Sequence, residues 1–247
     1  MTYAPFEIIG ADRSSRWLVT CDHAANTVPD FVGGGDLGLA TCDMERHIAY
    51  DIGAAGVSRA LADALGCPAI LSNFSRLVID PNRGEDDPTL LMKLYDGTII
   101  PANRYAGADQ LEMRLNRCYR PYHTAYAELA ARRADTVIVS VHSFTPQLQG
   151  RPPRPWHVGV LYAADTRLAR PLLARLHAEP DICIGENEPY GGHLPGDAIA
   201  RHAIAWQRLN ALIEIRNDLI ATPDTQIRWA ERLAPILQQA LADTGRP

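Results

Sequence analysis

The sequence predicts an α/β layer sandwich, and two observations support this fold class. Five short runs of aliphatic and β-branched residues have the length and composition of buried strands. Longer stretches between them carry apolar residues at helical spacing, and strands that alternate with helices form a sheet with helices packed on its faces. Because 247 residues with 47% hydrophobic content can bury one full core, we expect a single domain over residues 1–247.

The five predicted strands are short, as strands in α/β proteins usually are. They are residues 17–21, 69–72, 136–141, 157–162 and 211–216. In the last strand, alternation places Glu214 and Arg216 on one face and two isoleucines on the other. A carboxylate and a guanidinium on one face form either a structural ion pair or part of a catalytic site, and both interpretations fit this pattern.

The first predicted helix lies between the first two strands. Its apolar residues recur at helical intervals from Ile48 to Leu65, with Asp43 as the N-cap and Gly66 as the C-terminal stop. A second helix is predicted over residues 108–134, where Pro121 must kink it or begin a second segment. Further helices are predicted over residues 168–177, 197–206 and 226–241.

Three segments rich in turn-forming residues are predicted to be loops. Residues 80–107 contain two Asp-Pro pairs and little periodicity, which predicts a long functional loop. Residues 151–155 and 188–193 predict two more loops at the same rim, in a position to move over a bound substrate.

The composition argues against several classes of function. A net charge of -5 and a pI near 5.9 leave no basic stripe for phosphate contacts, so we expect no nucleic-acid partner. The five cysteines are odd in number and contain no Cys-x-x-Cys pair, which indicates a reducing, cytoplasmic location rather than a disulfide framework. The sequence shows no export signal and no apolar run of membrane-spanning length. We therefore expect a cytoplasmic protein that acts on a small polar molecule without a membrane partner, and no pattern indicates an oligomeric state.

Two histidines stand just beyond predicted strands, at the point where each strand ends. His23 follows the first strand and His142 the third. Ligands of α/β sheets bind beyond the carboxyl ends of the strands, so these two imidazoles predict a shared divalent metal, with zinc as the first candidate. A hydrolytic zinc site takes a third protein ligand, and Glu45, His47 and Asp51 near the next helix are the candidates, unless they cap that helix. We favour Glu45.

Residues 75–83 contain two arginines and an asparagine around a turn. Arg76, Asn82 and Arg83 form a set that can hold a substrate carboxylate through guanidinium contacts. The same string also fits a loop that is anchored by salt bridges.

Glu214 and Arg216 are the candidate catalytic residues if a metal lies nearby. The carboxylate is suited to take a proton from water and pass it to a leaving amine, and the guanidinium to stabilise an oxyanion. A cysteine mechanism is the alternative, because Cys21 and His23 project to the same side of an extended segment. A buried, unreactive cysteine fits that position better, since no neighbouring feature lowers the pKa of the thiol.

Seven separated strings occur in one fixed order along the chain. They are Cys21-Asp-His-Ala-Ala-Asn26, Glu45-Arg-His-Ile-Ala-Tyr-Asp-Ile-Gly53, Ser75-Arg-Leu-Val-Ile-Asp-Pro-Asn-Arg83, Pro121-Tyr-His123, Val141-His-Ser-Phe-Thr-Pro146, Asn187-Glu-Pro-Tyr190 and Ile213-Glu-Ile-Arg-Asn-Asp-Leu219. Together they resemble the N-formylglutamate amidohydrolase family, and the match spans residues 17–220.

This resemblance implies a fold and a set of roles. The fold would be phosphorylase/hydrolase-like, a three-layer sandwich around a mixed sheet, related to zinc carboxypeptidases and aspartoacylases. In those relatives a His-x-x-Glu pair and a later histidine bind zinc, an Asn-Arg pair binds the substrate carboxylate, and a late glutamate is the base. Carried over, His23 and His142 would be metal ligands, Asn82 and Arg83 the clamp, and Glu214 the base.

One position departs from the family pattern. Asn26 stands where the relatives carry the glutamate ligand, and a neutral amide is a poor zinc ligand. The third ligand must then come from elsewhere in the chain.

The resemblance also implies an activity. The family name describes hydrolysis of N-formyl-L-glutamate to formate and L-glutamate, a step of histidine degradation. We expect a metal-dependent amidohydrolase with a small N-acyl, in particular N-formyl, acidic amino acid as substrate. A hydrolase of another N-acyl amino acid or peptide amide, and a carboxylate-binding relative without activity, are the alternatives.

Overall fold

A seven-stranded mixed sheet lies at the centre of the computed structural model, which describes residues 3–192 and 194–245. The strands in chain order are β1 (Phe6–Ile9), β2 (Trp17–Cys21), β3 (Ala69–Ser72), β4 (Leu94–Tyr95), β5 (Thr98–Ile99), β6 (Val137–Phe144), β7 (Val158–Leu161), β8 (Ile184–Glu186) and β9 (Asn210–Arg216). The sheet runs β1-β3-β2-β6-β9-β7-β8, while β4 and β5 form a separate hairpin. β1 pairs antiparallel with β3 and β7 antiparallel with β9, and the other neighbours are parallel.

All five predicted strands are present, with small differences at their ends. The sequence patterns did not indicate β1 and β8, because each is an edge strand of three or four residues with partly exposed side chains. The predicted loop over residues 80–107 contributes nothing to the central sheet, but it contains the β4–β5 hairpin and a short helix. Residues 151–155 form a loop as predicted, and so do residues 188–192, whereas the last residue of that prediction, at position 193, lies outside the described residues.

Helices cover both faces of the sheet. They are α1 (Thr41–Met44), α2 (Ala54–Ala64), α3 (Pro101–Arg104), α4 (Ala108–Arg114), α5 (Arg120–Ala131), α6 (Ala169–His177), α7 (Ala198–His202) and α8 (Pro223–Asp243). On one face Val19, Val139 and Ile213 of the sheet pack with α2, α6 and α8. On the other face Leu18 and Ile138 pack with α5 and α7. The expected three-layer sandwich is therefore confirmed.

The helix predictions after the first one are confirmed, with two local changes. The predicted helix over residues 108–134 is α4 and α5 joined by a π-helical turn, Leu115–Tyr119. Pro121 lies in the first turn of α5 and has no N–H to donate to an α-helical hydrogen bond. The helix therefore forms a wider, π-helical turn just before it. The predicted helix over 197–206 is α7, capped by the Asp197 side chain, followed by a 3-10 turn. No helix among the described residues is long and apolar enough to cross a membrane.

The first predicted helix is wrong in its first half. Asp43 lies inside the short α1 and does not cap a long helix, and α2 begins only at Ala54. Gly53 precedes α2 and has a φ of 81°, which residues with a side chain rarely adopt. The backbone carbonyl of Ile220 occupies the space that a Cβ at Gly53 would need. The predicted stop at Gly66 is confirmed, since α2 ends just before it. Residues 45–53 therefore form a turn that passes beside the sheet and buries His47 and Asp51, although their apolar spacing resembles that of a helix.

Alternation along the central strands also sends a set of polar side chains to the α5 face. These are Thr20, Asp22, Ser140, His142 and Glu214, and all of them are buried. Buried polar groups are rare away from sites that use them, so the carboxyl ends of β2, β6 and β9 are the place to look for function.

We expect Gly53→Ala to reduce the free energy of unfolding by about 2–5 kcal/mol, because a left-handed φ and a collision with the backbone add together. A Cβ at Gly53 would lie 2.3 Å from the Ile220 carbonyl oxygen. Gly66→Ala is the matched control, since Gly66 also has a positive φ but faces open space. It should lose only about 1–2 kcal/mol in urea unfolding. Equal losses in the two variants would contradict this account of the turn.

Candidate active site

A cavity of about 810 Å³ lies at the carboxyl ends of β2, β6 and β9. Its volume is within the range of about 300–1,000 Å³ that is typical of ligand pockets. The predicted site residues His23, His142 and Glu214 all line it. The carboxyl ends of the strands therefore bring together three residues that are far apart in sequence.

Asp51 lies between the two histidines. Its Oδ2 is 3.3 Å from Nδ1 of His23 and 2.8 Å from Nδ1 of His142, and the two rings meet edge to face with centroids 5.0 Å apart. All three residues are buried. One ligand atom from each lies within 4.8 Å of the others, which is close enough for the three to hold a single metal ion.

Each imidazole is held on its far side by another carboxylate. Nε2 of His23 donates to Oδ1 of Asp80 over 2.7 Å. Nε2 of His142 lies 3.4 Å from Oδ2 of Asp22 and 3.1 Å from the Ser140 hydroxyl. Outer carboxylates that fix ring orientation and tautomer are the usual partners of metal-binding histidines.

The buried charges hold one another ionised. Burial alone would raise the pKa of Asp51, but the charge of His23 and the hydrogen bond from His142 lower that pKa well below its usual value. Burial also opposes the charged form of His142, yet its hydrogen bonds to Asp22 and Asp51 raise the pKa of the ring well above its usual value. The cluster is a set of opposite charges on buried side chains.

Arg76 completes the charge balance of this cluster. Its guanidinium donates to Oδ1 of Asp51 at 3.4 Å and to Oδ2 of Asp80 at 3.0 Å, and it is buried. Arg76 lines the cavity, as predicted for a substrate-binding residue, but its donors are directed to two carboxylates of the protein. It therefore holds the ligand set rather than offering a free cation.

Two buried atoms in the cavity wall have no hydrogen-bond partner among the residues that the structure describes. One is Oε2 of Glu214, and burial raises the pKa of this carboxyl to about 7. The other is Nδ1 of His47, 3.6 Å from Oδ1 of Asp51, and burial lowers the pKa of its ring to about 4. Unpaired buried polar atoms are rare, and two in one cavity point to a ligand that supplies their partners.

Asn82 and Arg83 also line the cavity. Oδ1 of Asn82 accepts from the backbone N–H of Ala198, which fixes this residue against α7. Arg83 donates to the hydroxyl of Thr89 and to the backbone carbonyl of Asn82, at 3.1 and 2.8 Å. Both described acceptors of Arg83 are neutral oxygens, so its charge is available to an anionic ligand.

The structure does not bring Glu45 to the two histidines. Glu45 is exposed at the end of α1 and does not line the cavity. The turn that follows it carries Asp51 inward, so Asp51 replaces Glu45 beside the imidazoles. Asn26 also lies outside the cluster, where its amide donates to the backbone carbonyl of Met44 at 2.9 Å.

Arg216 requires a correction too. It lies at the end of β9, and its guanidinium pairs with Asp218 at 2.8 Å instead of lining the cavity. Alternation does place Arg216 and Glu214 on one face, but Arg216 is the last residue of the strand and its side chain extends past the cavity. Of the two, only Glu214 faces the site.

Sequence reasoning missed the outer carboxylates Asp22 and Asp80. A signal for Asp22 was present, since alternation from Leu18 places it on the α5 face. Cys21 lies on the opposite face in the core of the α2 side, and burial raises the pKa of its thiol. The cysteine mechanism therefore has no support in the geometry.

Comparison with known proteins shows which family and which solved structures this chain is similar to. A model of the N-formylglutamate amidohydrolase family matches residues 15–221. The crystal structure of a gene product from Agrobacterium tumefaciens is similar, with a TM-score of 0.91 at 32% identity over 98% of this chain and 96% of that chain. The crystal structure of N-formylglutamate amidohydrolase from Ralstonia eutropha has a TM-score of 0.62 at 21% identity, over 96% and 99% of the two chains, a likeness of fold. No curated protein matches the chain.

The hydroxyl of Tyr122 donates to Oδ1 of the buried Asp22 over 2.6 Å, and we expect Tyr122→Phe to reduce the free energy of unfolding by about 1.5–3 kcal/mol. Tyr126→Phe is the control on the same helix, because its hydroxyl is 3.5 Å from a neutral partner, Thr20. It should lose less than about 1 kcal/mol in the same urea titration. If both variants lose the same amount, the Asp22 hydrogen bond has no special role.

Proposed function

Because this chain belongs to the N-formylglutamate amidohydrolase family, we propose that it hydrolyses the amide bond of an N-acyl amino acid with one bound divalent metal ion. N-formyl-L-glutamate, which would give formate and L-glutamate as in histidine degradation, is the first substrate to test. One observation carries the proposal. His23 and His142 each direct one ring nitrogen to Asp51 and the other to an outer carboxylate. Glu214, whose Oε2 has no hydrogen-bond partner among the described residues, lines the same cavity.

The donor set fits a metal ion. Nδ1 of His23, Nδ1 of His142 and Oδ2 of Asp51 would hold it, and zinc is the first candidate, because two imidazoles and one carboxylate are a common catalytic zinc set. The ion would polarise the amide carbonyl and lower the pKa of water to about 7. Asp22 and Asp80 keep both rings oriented for this role.

Glu214 acts as the base and then as the acid. Its unpaired Oε2 accepts a proton from the attacking water as the new carbon–oxygen bond forms. The same carboxyl then delivers that proton to the amide nitrogen as the carbon–nitrogen bond breaks, which leaves a carboxylate and a free amine. A carboxyl with a pKa of about 7 is well matched to both transfers near neutral pH.

Arg83, Asn82 and His47 position the substrate. The guanidinium of Arg83 binds the substrate carboxylate, and the amide of Asn82 borders it. His47 is uncharged at neutral pH and donates a hydrogen bond to the developing oxyanion, the role that the sequence had suggested for Arg216.

We expect Asp51→Asn and His142→Asn to lose the bound metal, whereas Glu45→Gln retains it. Metal content is measured by elemental analysis after dialysis against a weak chelator, with circular dichroism to verify folding. The wild type should hold one divalent ion per chain. A wild type without metal, or loss of metal only in Glu45→Gln, would contradict the ligand set.

We expect Glu214→Gln to keep its metal but to lose about 10²–10⁴-fold in kcat for amide hydrolysis, because it cannot transfer the proton. Arg216→Ala is the control from the same strand, and it should stay within a few-fold of the wild type. Formate release by both variants and by the wild type gives the comparison. Wild-type activity in Glu214→Gln would remove the base from the mechanism.

A further inference from the structure

Among the described residues that line the cavity, one guanidinium, that of Arg83, makes no ion pair and can bind a substrate carboxylate. Arg76 and Arg83 both line the cavity, but Arg76 is paired with Asp51 and Asp80, whereas Arg83 donates only to neutral oxygens. None of the described residues that line the cavity is a lysine. An N-acyl amino acid with two carboxylates would therefore leave one of them without a cationic partner.

Arg154, another guanidinium close to the cavity, does not change this count. It donates to the backbone carbonyl of Thr145 and to the hydroxyl of Tyr190. The Cζ atom of its guanidinium lies 5.0 Å from the centre of the Tyr190 ring. Tyr190 lines the cavity and Arg154 does not. Tyr190 therefore contributes an aromatic ring to the cavity lining, and the Arg154 guanidinium packs on that ring.

The floor of the cavity next to Glu214 is apolar. Leu212 is two residues before Glu214 on the same face of β9, and it pairs across the sheet with Leu161 of β7. Both leucines line the cavity and are buried. A carboxylate in this position would lose its hydration without gaining an ion pair, which is unfavourable.

A second group of lining residues forms an apolar wall, and part of this wall is exposed. Tyr162, Pro189, Tyr190 and Leu194 line the cavity, and Tyr190 and Leu194 are 36% and 43% exposed. Large hydrophobic side chains at a cavity rim are stabilised by about 25 cal/mol for each Å² that a ligand covers. This wall is suited to an apolar or aromatic group.

Backbone packing holds this wall against the sheet. A Cβ on Gly159, which lies opposite Glu214 in the sheet, would be 2.0 Å from the backbone carbonyl oxygen of Glu188. A Cβ on Gly192 would be 2.3 Å from the carbonyl oxygen of Tyr162. Because these glycines have no side chains, the segment around Pro189 packs directly against the strands. This packing fixes the position of the apolar wall.

From the one guanidinium without an ion pair among the described lining residues, the apolar floor and the apolar wall, we infer that the preferred substrate carries one carboxylate and a bulky apolar or aromatic group. This inference rests on the proposed function and selects among N-acyl amino acids. The carboxylate binds Arg83, the amide lies at the histidines and Glu214, and the apolar group covers Leu161 and Tyr190. The apolar group comes either from the amino-acid side chain or from the acyl group.

The test compares kcat/KM of the metal-loaded protein for four substrates. N-formyl-L-phenylalanine carries the apolar group on the side chain, N-benzoylglycine carries it on the acyl group, and N-formyl-L-glutamate and N-formylglycine carry none. At least one of the first two should exceed N-formyl-L-glutamate by about tenfold or more, because one apolar group in a pocket contributes about 10–200-fold. Equal or better hydrolysis of N-formyl-L-glutamate would overturn the inference.

Binding to Glu214→Gln separates this inference from the proposed function. Calorimetry with the four compounds should rank their Kd values in the order that kcat/KM predicts, because turnover in that variant is slow. If the wild type hydrolyses none of them but Glu214→Gln still binds the apolar compounds more tightly, the proposed function fails and the ligand class stands. Tighter binding of N-formyl-L-glutamate overturns the ligand class whatever the activity.

Variants of the wall locate the effect. Leu194→Ala and Tyr190→Ala should lower kcat/KM for the preferred apolar substrate several-fold and leave N-formylglycine within about twofold. Ile227→Ala is the matched control, since Ile227 is an exposed apolar residue of α8 away from the cavity, 47% exposed. Equal losses for both substrates in the wall variants would show that the wall does not select the substrate.

Discussion

The carboxylate of Asp51, buried between His23 and His142, is the constraint on which the site depends. Removing an ion from water costs several kcal/mol, so a buried carboxylate persists only where cations and donors surround it. Here two imidazoles, the Arg76 guanidinium and the backbone N–H of Ser143 all approach it. Three separate parts of the fold position these groups, since His142 and Ser143 lie together on β6 while His23 follows β2 and Arg76 follows β3. Loss of one of these cations leaves a buried charge unbalanced.

The second condition is a fixed orientation of each ring, which Asp80 provides for His23 and residues of the sheet provide for His142. Alternation on β2 and β6 sends Asp22, Ser140 and His142 to the α5 face, where the Tyr122 hydroxyl donates to Asp22. A ring with both nitrogens fixed cannot rotate to meet a ligand, so the site is organised before the substrate arrives. The proposed proton transfer by Glu214 requires such a site, because its unpaired oxygen must meet water and substrate in one geometry.

The sequence predicted the parts of this site that depend on local patterns. His23 and His142 follow apolar strands and Glu214 lies on an alternating one, so strand periodicity is enough to place all three at one edge of the sheet. Glu45 was preferred over Asp51 because helical spacing concealed the turn that ends at Gly53. That turn depends on contact with a residue more than 160 positions later, and local patterns contain no information about it.

We propose that one divalent ion lies between the two imidazoles and Asp51. Anomalous diffraction at the zinc edge, from crystals grown with zinc, tests it directly. We expect one strong peak within about 2.0–2.2 Å of Nδ1 of His23, Nδ1 of His142 and Oδ2 of Asp51. A crystal with no peak there, or with its main peak at Glu45 or another surface carboxylate, would contradict the account.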